Sequence, residues 1–194
     1  FHFVYKYLQG DFDCSARVAS LTSDADAANA GLMVRGSLAT DDATLFVAAS
    51  ANGSVVTKLR ERQGETLELM DTTPLSPPLW LRLERKGPKL QSYVSSDGQT
   101  WQRASSVKLV LPSAVYAGLA VAANDQGSVR GEFTSVDCKG KEPTTPPSPP
   151  SPPPPAPPIP EPPAGSPPPP PTPVSPSDDV KIIKDAVGNT LQDG

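Results

Sequence analysis

The feature that most constrains this chain is the alternation with period two in the run from Leu79 to Arg85, where leucine occupies positions 79, 81 and 83. A β-strand points successive side chains to opposite faces, so leucines at every second position predict a strand with one buried face. A second extended run follows and ends in the dipeptide Asp97-Gly98, which is a strong signal for a tight turn between antiparallel strands. Together the two patterns predict an antiparallel β domain.

Similar extended segments recur along the first 140 residues, separated by turn-forming residues. They lie at residues 3–8, 11–21, 30–36, 44–50, 54–62, 79–86, 89–96, 104–110, 114–123 and 129–138. Short strands at this spacing predict an all-β fold, an antiparallel β-sandwich of the jelly-roll type. Residues 70–78 contain three prolines, which cannot donate to a β-ladder, and we expect this stretch to form a loop crossing between the sheets.

Composition changes abruptly at about Pro143 and divides the chain into three segments. Residues 1–142 carry 15 Lys and Arg, 16 Asp and Glu and 5 prolines. The remaining residues carry 2 Lys and Arg, 5 Asp and Glu and 21 prolines. The first segment is long enough to bury a core and is predicted to be one domain. Residues 143–176 predict a polyproline II stalk. Residues 177–194 are interpreted as the truncated start of a further segment, helix or strand, because they are too short to fold alone.

Charge and hydropathy exclude two classes of partner. The near-neutral balance of the domain argues against nucleic acid, since phosphate binding needs a basic patch. No apolar run approaches the roughly 20 residues that cross a bilayer, so this segment contains no predicted membrane span. The chain opens on a strand-like sequence without Met, which we interpret as a fragment or a processed product whose signal peptide is not included.

Two cysteines, Cys14 and Cys138, lie near the two ends of the predicted domain and on inward-facing positions of their strands. A disulfide between them would close a loop of more than a hundred residues and stabilise the fold by roughly 4–5 kcal/mol in the chain-entropy model. It requires that the terminal strands be adjacent and the compartment oxidising. The alternative is a pair of buried free thiols, which are common in protein cores.

Six short motifs occur in a fixed order through residues 1–138. They are Gly10-Asp11-Phe12-Asp13, Ala16-Arg17-Val18-Ala19-Ser20-Leu21, Ala30-Gly31-Leu32-Met33-Val34-Arg35, Trp80-Leu81-Arg82-Leu83, Ser95-Ser96-Asp97-Gly98-Gln99-Thr100-Trp101 and Tyr116-Ala117-Gly118-Leu119-Ala120-Val121. The ordered set resembles a largely uncharacterised family of concanavalin A-like domains found in secreted and surface proteins. The resemblance implies a jelly-roll sandwich with a non-catalytic accessory role and carbohydrate binding. It also implies a further opening strand before Phe1, without which a sheet edge is exposed.

Two serine-oligoproline units lie in the proline-rich segment. Ser151 precedes one run and Ser166 the other; the prolines are Pro152, Pro153, Pro154, Pro155, Pro167, Pro168, Pro169, Pro170 and Pro171. These units resemble the hydroxyproline-rich extensins of plant and green-algal walls. The resemblance implies hydroxylated and glycosylated prolines, an extracellular or cell-surface location, and glycans or neighbouring extracellular glycoprotein subunits as partners. The alternative is an unmodified linker between modules.

Motifs for catalysis are missing from the sequence. The chain has a single histidine, His2, and no Gly-x-Ser-x-Gly elbow, Walker loop, HExxH or CxxC. We therefore expect no enzymatic activity and no required cofactor.

Four aspartates lie in two loops on either side of the strand predicted near residues 31–37. They are Asp24, Asp26, Asp41 and Asp42. Carboxylate oxygens suit Ca²⁺, which makes a structural calcium ion the metal that this pattern favours. The spacing does not match an EF-hand loop, and the alternative is four solvated loop acids.

The same alternation that predicts the core suggests a binding surface. Trp80 falls on the face of Arg82, opposite the leucines, and the next strand is expected to bring Tyr93 beside them. An aromatic surface flanked by arginine can hold a sugar ring by stacking and directed hydrogen bonds. Arg35, Arg60 and Arg62 are expected to line the same sheet. The alternative is that Trp80 and Trp101 belong to the core.

These patterns predict a non-catalytic extracellular module, carried on a polyproline stalk in a cell-surface or matrix glycoprotein, that binds glycans. Two alternatives remain open from the sequence. One is a purely structural assembly module of an extracellular filament or wall. The other is an accessory domain of a secreted hydrolase.

Overall fold

The computed structural model describes residues 1–24, 28–123 and 128–144, together with two short strands near the C-terminus. The chain divides into two units, Phe1–Ser148 and Pro149–Gly194. In the second unit, Ile183–Lys184 pairs antiparallel with Thr190–Leu191. The proline runs predicted to form the stalk lie outside the described residues. Within the described part, no helix is long and apolar enough to cross a membrane.

The described residues of the first unit form ten antiparallel strands. They are β1 (His2–Ser23), β2 (Asn29–Arg35), β3 (Thr44–Ser50), β4 (Ser54–Arg60), β5 (Glu68–Thr73), β6 (Leu79–Lys86), β7 (Lys89–Ser95), β8 (Gln102–Lys108), β9 (Ala114–Ala122) and β10 (Val129–Lys141). The two terminal strands follow as β11 (Ile183–Lys184) and β12 (Thr190–Leu191). The predicted all-β fold class is confirmed.

Strand β1 joins the two layers of the domain because it is long enough to pair in both. Its residues 2–9 pair with β9, and its residues 12–18 pair with β6. The ladder between β1 and β10 is irregular between Gln9 and Phe12, around Gly10, whose φ is 75°. Such an irregularity bends a strand, so the two segments expected at residues 3–8 and 11–21 are one strand that changes layer at Gly10.

The strand order follows from this change of layer. The first sheet runs β5-β4-β3-β2-β9-β1, and the second runs β1-β6-β7-β8 with β10 on the other side of β1. Strands β2 and β3 contact β6 although they form no hydrogen-bonded ladder with it. The two sheets therefore pack face to face, as the predicted sandwich requires.

The core between the sheets consists of the alternating apolar side chains of both layers. Leu79, Leu81 and Leu83 are fully buried, as the sequence pattern predicts. The first sheet contributes an opposing set, which includes Leu32, Val34, Leu45, Val47, Val55 and Val115. Each such side chain stabilises the fold by about 1.5–3 kcal/mol when fully buried. The strands that supply this core consequently have an inward face on it and an outward face turned away from it.

Strand β5 corrects one expectation from the sequence. Residues 70–73 were expected to lie in a crossing loop, but Glu68–Thr73 pairs with β4 and forms an edge of the first sheet. Only the following residues, 74–78, cross to the second sheet. The three prolines all lie in this crossing, where no ladder hydrogen bond is lost.

Two further sequence features have defined places in the fold. Cys14 of β1 is directly opposite Cys138 of β10, and the two form a disulfide. The turn predicted at Asp97-Gly98 joins β7 to β8. The Asp97 carboxylate accepts hydrogen bonds from the backbone N–H groups of Thr100 and Gln99, each 2.8 Å long. These bonds, with one from the Ser95 hydroxyl, hold the pKa of Asp97 well below its ordinary value.

Candidate functional site

A cavity of about 190 Å³ opens on the outward face of the first sheet; we call it the basic cavity. Its lining residues are Phe1, Asn29, Met33, Arg35, Thr40, Thr44, Phe46, Lys58, Arg60, Leu67 and Ala122. Strands β2, β3 and β4 supply most of them, and the connection from β4 to β5 supplies Leu67. The volume is below the roughly 300–1,000 Å³ of pockets for drug-sized ligands, so the cavity admits a small group or one unit of a larger molecule.

Strand register arranges the principal lining side chains in two rows across three strands. Arg35 pairs with Thr44, and Thr44 pairs with Arg60, which makes one row. Met33, Phe46 and Lys58 make the adjacent row in the same way. Residues paired across antiparallel strands project to the same face, so these six side chains lie side by side.

The floor of the basic cavity is apolar. Met33 and Phe46 are 6% and 2% exposed and belong to a small cluster with Ala48, Val56 and Ala120 on this outward face. At the rim, the guanidinium of Arg35 lies 5.3 Å from the ring centroid of Phe1. The cavity thus combines an apolar floor with a cation held against an aromatic ring.

The two arginines have N–H groups without a partner among the described residues. Arg35 is only 2% exposed, and one of its terminal nitrogens donates to the carbonyl of Ala39. Arg60 donates from Nη1 to the carbonyl of Thr40 over 2.9 Å. The Nε atoms of both side chains are buried and unpartnered within the described structure. Buried donors of this kind are rare in native proteins.

The charges in the cavity are poorly compensated. Burial lowers the pKa of Arg35, and repulsion from Arg60 lowers it further, against the opposing effects of Asp42 and Asp41. Burial likewise lowers the pKa of Lys58. Among the described residues, none of these three cations forms an ion pair within 4.0 Å. An acceptor that enters the cavity would therefore stabilise the charged side chains.

The second sheet presents the outward face that the sequence suggested, with Trp80, Arg82 and Tyr93; we call it the Trp80 face. Arg82 is directly opposite Tyr93, and its guanidinium lies 5.6 Å from the tyrosine ring centroid. Arg82 makes a two-pronged ion pair with Asp13, one arm of which is 2.8 Å long. This hydrogen bond is the main reason why the pKa of Arg82 is raised. The expected grouping is present, but its cation already has a carboxylate partner.

Trp80 packs against the turn that joins β7 and β8. A Cβ atom added at Gly98 would lie 2.7 Å from Cε2 of the indole, so the glycine backbone sits directly on the ring. Trp80 is half-buried as a result. Part of the aromatic surface that would receive a sugar is therefore occupied by this chain.

The arginines predicted for the Trp80 face are distributed differently. Arg35 and Arg60 lie on the outward face of the first sheet, on the opposite side of the core from Trp80. Arg62 follows β4, is exposed, and pairs with Glu65 over 3.1 Å. The expectation that all of them line one sheet surface is wrong. Alternation places a residue on the outward face of its strand, but only strand pairing determines to which layer the strand belongs.

Of the four aspartates expected near a calcium ion, the three that the structure describes do not lie together. Asp24 precedes β2 and accepts a hydrogen bond from the Ser128 hydroxyl, 2.8 Å away. Asp41 and Asp42 follow the other end of this seven-residue strand, which is about 20 Å long at the usual rise. Asp26 lies outside the described residues. In the part of the chain that the structure describes, no group of three or more His, Cys, Asp or Glu could hold a metal ion.

Of the lining residues of the basic cavity, only Arg35 and Arg60 were predicted from the sequence; Met33, Phe46 and Lys58 are among those missed. A signal for one of them was present, since Lys58 and Arg60 are two apart and must project from the same face of a strand. Their proximity to Arg35 depends on β3 lying between β2 and β4, which no local pattern reveals.

Comparisons with known proteins establish the fold. No protein-family model and no curated protein sequence matches this chain. A functionally unknown protein from Saccharomyces cerevisiae is similar in structure, with a TM-score of 0.60, 18% identity, and coverage of 72% of this chain and 75% of that chain. A GH43 protein, BlXynB from Bacillus licheniformis, has a TM-score of 0.52 and 12% identity over 68% of this chain and 28% of that one.

A third similar structure is sheep galectin-11 in complex with glycerol, with a TM-score of 0.45, 15% identity, and coverage of 71% of this chain and 96% of that chain. This chain spans less than a third of the length of the GH43 protein. At these identities the similarities concern the arrangement of strands alone. The two similarities with TM-scores above 0.5 agree with the arrangement of strands described above.

Proposed function

We propose that this protein is a non-catalytic carbohydrate-binding module whose basic cavity receives one sugar unit of a glycan. The observation that carries the proposal is an apolar floor, Met33 and Phe46, bordered by three cationic side chains that form no ion pair among the described residues: Arg35, Lys58 and Arg60. A sugar ring has an apolar C–H face that packs on such a floor, and hydroxyl oxygens that accept hydrogen bonds from cationic side chains at its border. The cavity volume of about 190 Å³ limits entry to a single unit.

A glycan array probed with the full chain tests this proposal, with a variant that closes the cavity. Leu67→Trp adds bulk at the half-buried rim residue and should abolish binding by filling the space. Val110→Trp is the matched control, because Val110 is 90% exposed and does not line the cavity. Circular dichroism and thermal unfolding of both variants establish that they fold.

The Trp80 face is the competing location for a glycan site. We expect Tyr93→Ala to retain glycan binding, because the polar groups around Tyr93 are already paired with one another. Loss of binding in Tyr93→Ala, with binding intact in Leu67→Trp, would move the site to the Trp80 face. Absence of binding to any glycan by the folded protein would refute the carbohydrate proposal for the sugars on the array.

The proposal includes an extracellular or cell-surface location. Its support is the disulfide between Cys14 and Cys138, which persists in oxidising compartments, and the serine-oligoproline units after residue 150. Mass spectrometry of the protein from its natural source tests this directly. Hydroxylated prolines bearing sugars are expected at residues 152–155 and 167–171, and unmodified prolines at both runs would contradict a wall-glycoprotein origin.

A second candidate function, structural assembly, is favoured by the edge of the first sheet. Residues 2–8 of β1 form a ladder with β9 only, among the described strands, and Val4 and Tyr5 are 62% and 43% exposed. An apolar cleft of about 290 Å³ lies between these residues and Val136 of β10. An open edge beside exposed apolar side chains is a template for another strand.

Light scattering over a range of concentrations tests this candidate. Assembly through the edge predicts oligomers that Val4→Lys disrupts, because a charge on an edge strand opposes pairing. A monomer at every concentration, with glycan binding intact, would leave only the carbohydrate proposal. The further alternative, an accessory domain of a hydrolase, predicts a catalytic domain elsewhere in the same polypeptide, which sequencing of the complete gene would reveal.

A further inference from the structure

The basic cavity carries three positive charges and no negative one among its lining residues. Arg35, Lys58 and Arg60 supply the cations, and the remaining eight lining residues are uncharged side chains. This imbalance is local, since residues 1–142 as a whole carry 15 Lys and Arg against 16 Asp and Glu. The cavity therefore concentrates positive charge in a domain that is otherwise nearly neutral.

The nearest acids are committed elsewhere. Asp42 accepts a 2.7 Å hydrogen bond from the backbone N–H of Ala43, and Asp41 accepts one from the Gln63 amide. Both acids act on Arg35 through space but form no ion pair with it. The positive field in the cavity is thus only partly offset.

A structural role explains the two arginines incompletely. Each holds the connection from β2 to β3 at the cavity rim, through one hydrogen bond to a carbonyl of Ala39 or Thr40. That role uses one N–H of each side chain and leaves both Nε groups unpartnered. It gives no reason for Lys58, which is partly desolvated on the same surface.

We infer that the sugar unit held in the basic cavity is acidic, carrying a carboxylate or a sulfate that Arg35, Lys58 and Arg60 bind together. The inference rests on the proposed carbohydrate function and specifies the class of sugar. Arg35 and Arg60 lie two strands apart, about 10 Å between backbones, and their long side chains can converge from both sides. Lys58 approaches the same point from the next row. Charge-assisted hydrogen bonds from three cations to one anion are shorter and stronger than those to neutral hydroxyls.

Titration calorimetry of the full chain with three probes tests the inference. The first is trigalacturonate, and the second is the same trisaccharide with its carboxylates methyl-esterified, which keeps the sugar and removes the charge. The third is a sulfated galactose oligosaccharide, which distinguishes a sulfate from a carboxylate ligand. We expect at least one acidic probe to bind tenfold or more tightly than the ester, with an advantage that decreases as salt is added.

Variants connect this preference to the cavity. Arg35→Met, Lys58→Met and Arg60→Met each remove a cation while retaining an unbranched side chain, and each should reduce the ratio of acid to ester affinity toward one. Arg82→Met is the matched control on the Trp80 face and should leave the ratio unchanged. Thermal unfolding shows which variants remain folded, and a single folded cavity variant suffices for the comparison.

The outcomes separate this inference from the proposed function. Equal binding of acid and ester would overturn the acidic ligand and leave carbohydrate binding intact. No binding of any oligosaccharide would overturn both. Inorganic sulfate that binds as tightly as the sulfated sugar would show an anion site without sugar recognition, and would likewise overturn the inference.

Discussion

Each of the two outward faces of this sandwich has an arginine beside an aromatic ring, but the two arginines differ in their other partners. On the first sheet the guanidinium of Arg35 lies 5.3 Å from an aromatic centroid, and on the second that of Arg82 lies 5.6 Å from one. Arg82 is paired with Asp13, whereas among the described residues the side chain of Arg35 hydrogen-bonds only to a carbonyl. Arginine beside an aromatic ring therefore does not identify a binding site. What distinguishes Arg35 from Arg82 is that it has no ion-pair partner among the described residues.

The largest expected effect comes from the disulfide, which supports the second sheet more directly than the first. Cys14 and Cys138 are 124 residues apart, and replacing both with serine should reduce the free energy of unfolding by about 4–5 kcal/mol. We expect amide hydrogen exchange to accelerate most in β10 and in β6 and β7, the strands that carry the Trp80 face. Faster exchange confined to β2, β3 and β4 would reverse this assignment.

Replacing the arginine on each outward face with methionine should change the free energy of unfolding differently on the two faces. Arg82→Met breaks an ion pair whose partners are 31% and 37% exposed, and should destabilise the protein by about 1 kcal/mol. Arg35→Met removes a buried charge that nearby acids offset only in part, and should leave stability unchanged or raise it by up to about 1 kcal/mol. Urea unfolding measures both. If Arg35→Met is the more destabilising, Arg35 has a structural role and the contrast between the faces disappears.

Acidic-glycan affinity should depend on pH through Lys58. Burial lowers the pKa of Lys58, so this side chain loses its proton at a lower pH than an ordinary lysine, whose pKa is about 10.4. Affinity for an acidic sugar should therefore fall several-fold as pH rises toward that value. Lys58→Arg, which stays charged, should remove the fall. A pH profile that is identical in both proteins would show that Lys58 does not contact the anion.

The smallest effect concerns the turn that covers Trp80. The folded-state pKa of Asp97 is depressed, so its carboxylate contributes stability above the unfolded value of about 3.9. That contribution is lost as pH falls through the lower, folded-state pKa. Asp97→Asn should lower the melting temperature slightly at neutral pH, and the difference should vanish in strong acid. If Asp97→Asn also changes glycan affinity, the Trp80 face takes part in glycan binding.

Much of the fold was predictable from local pattern. The alternation from Leu79 to Arg85 identified the buried leucines and the outward residues of β6, because side-chain direction in a strand has a period of two. The turn at Asp97-Gly98 was equally local. Strand β5 was missed because its apolar content is low and its neighbours are prolines. A strand at a sheet edge needs little burial, so its sequence signal is weak.

The sequence predicted only some of the residues of the candidate site and did not predict how they are grouped. Arg35 and Arg60 were identified as binding residues, but they were grouped with Trp80 instead of with Phe46 and Lys58. The error has one cause: two sheets have two outward faces, and alternation does not distinguish them.

The amino-acid sequence alone determined the class of this domain and the side of each strand that faces the core, because both depend on neighbours in the chain. It also restricted the disulfide to a single pair of cysteines. Only the tertiary structure decided that β3 separates β2 from β4, that β1 passes from one sheet to the other at Gly10, and that Asp13 reaches Arg82. These are contacts between residues distant in sequence, and they decide which arginine is paired and which remains available to a ligand.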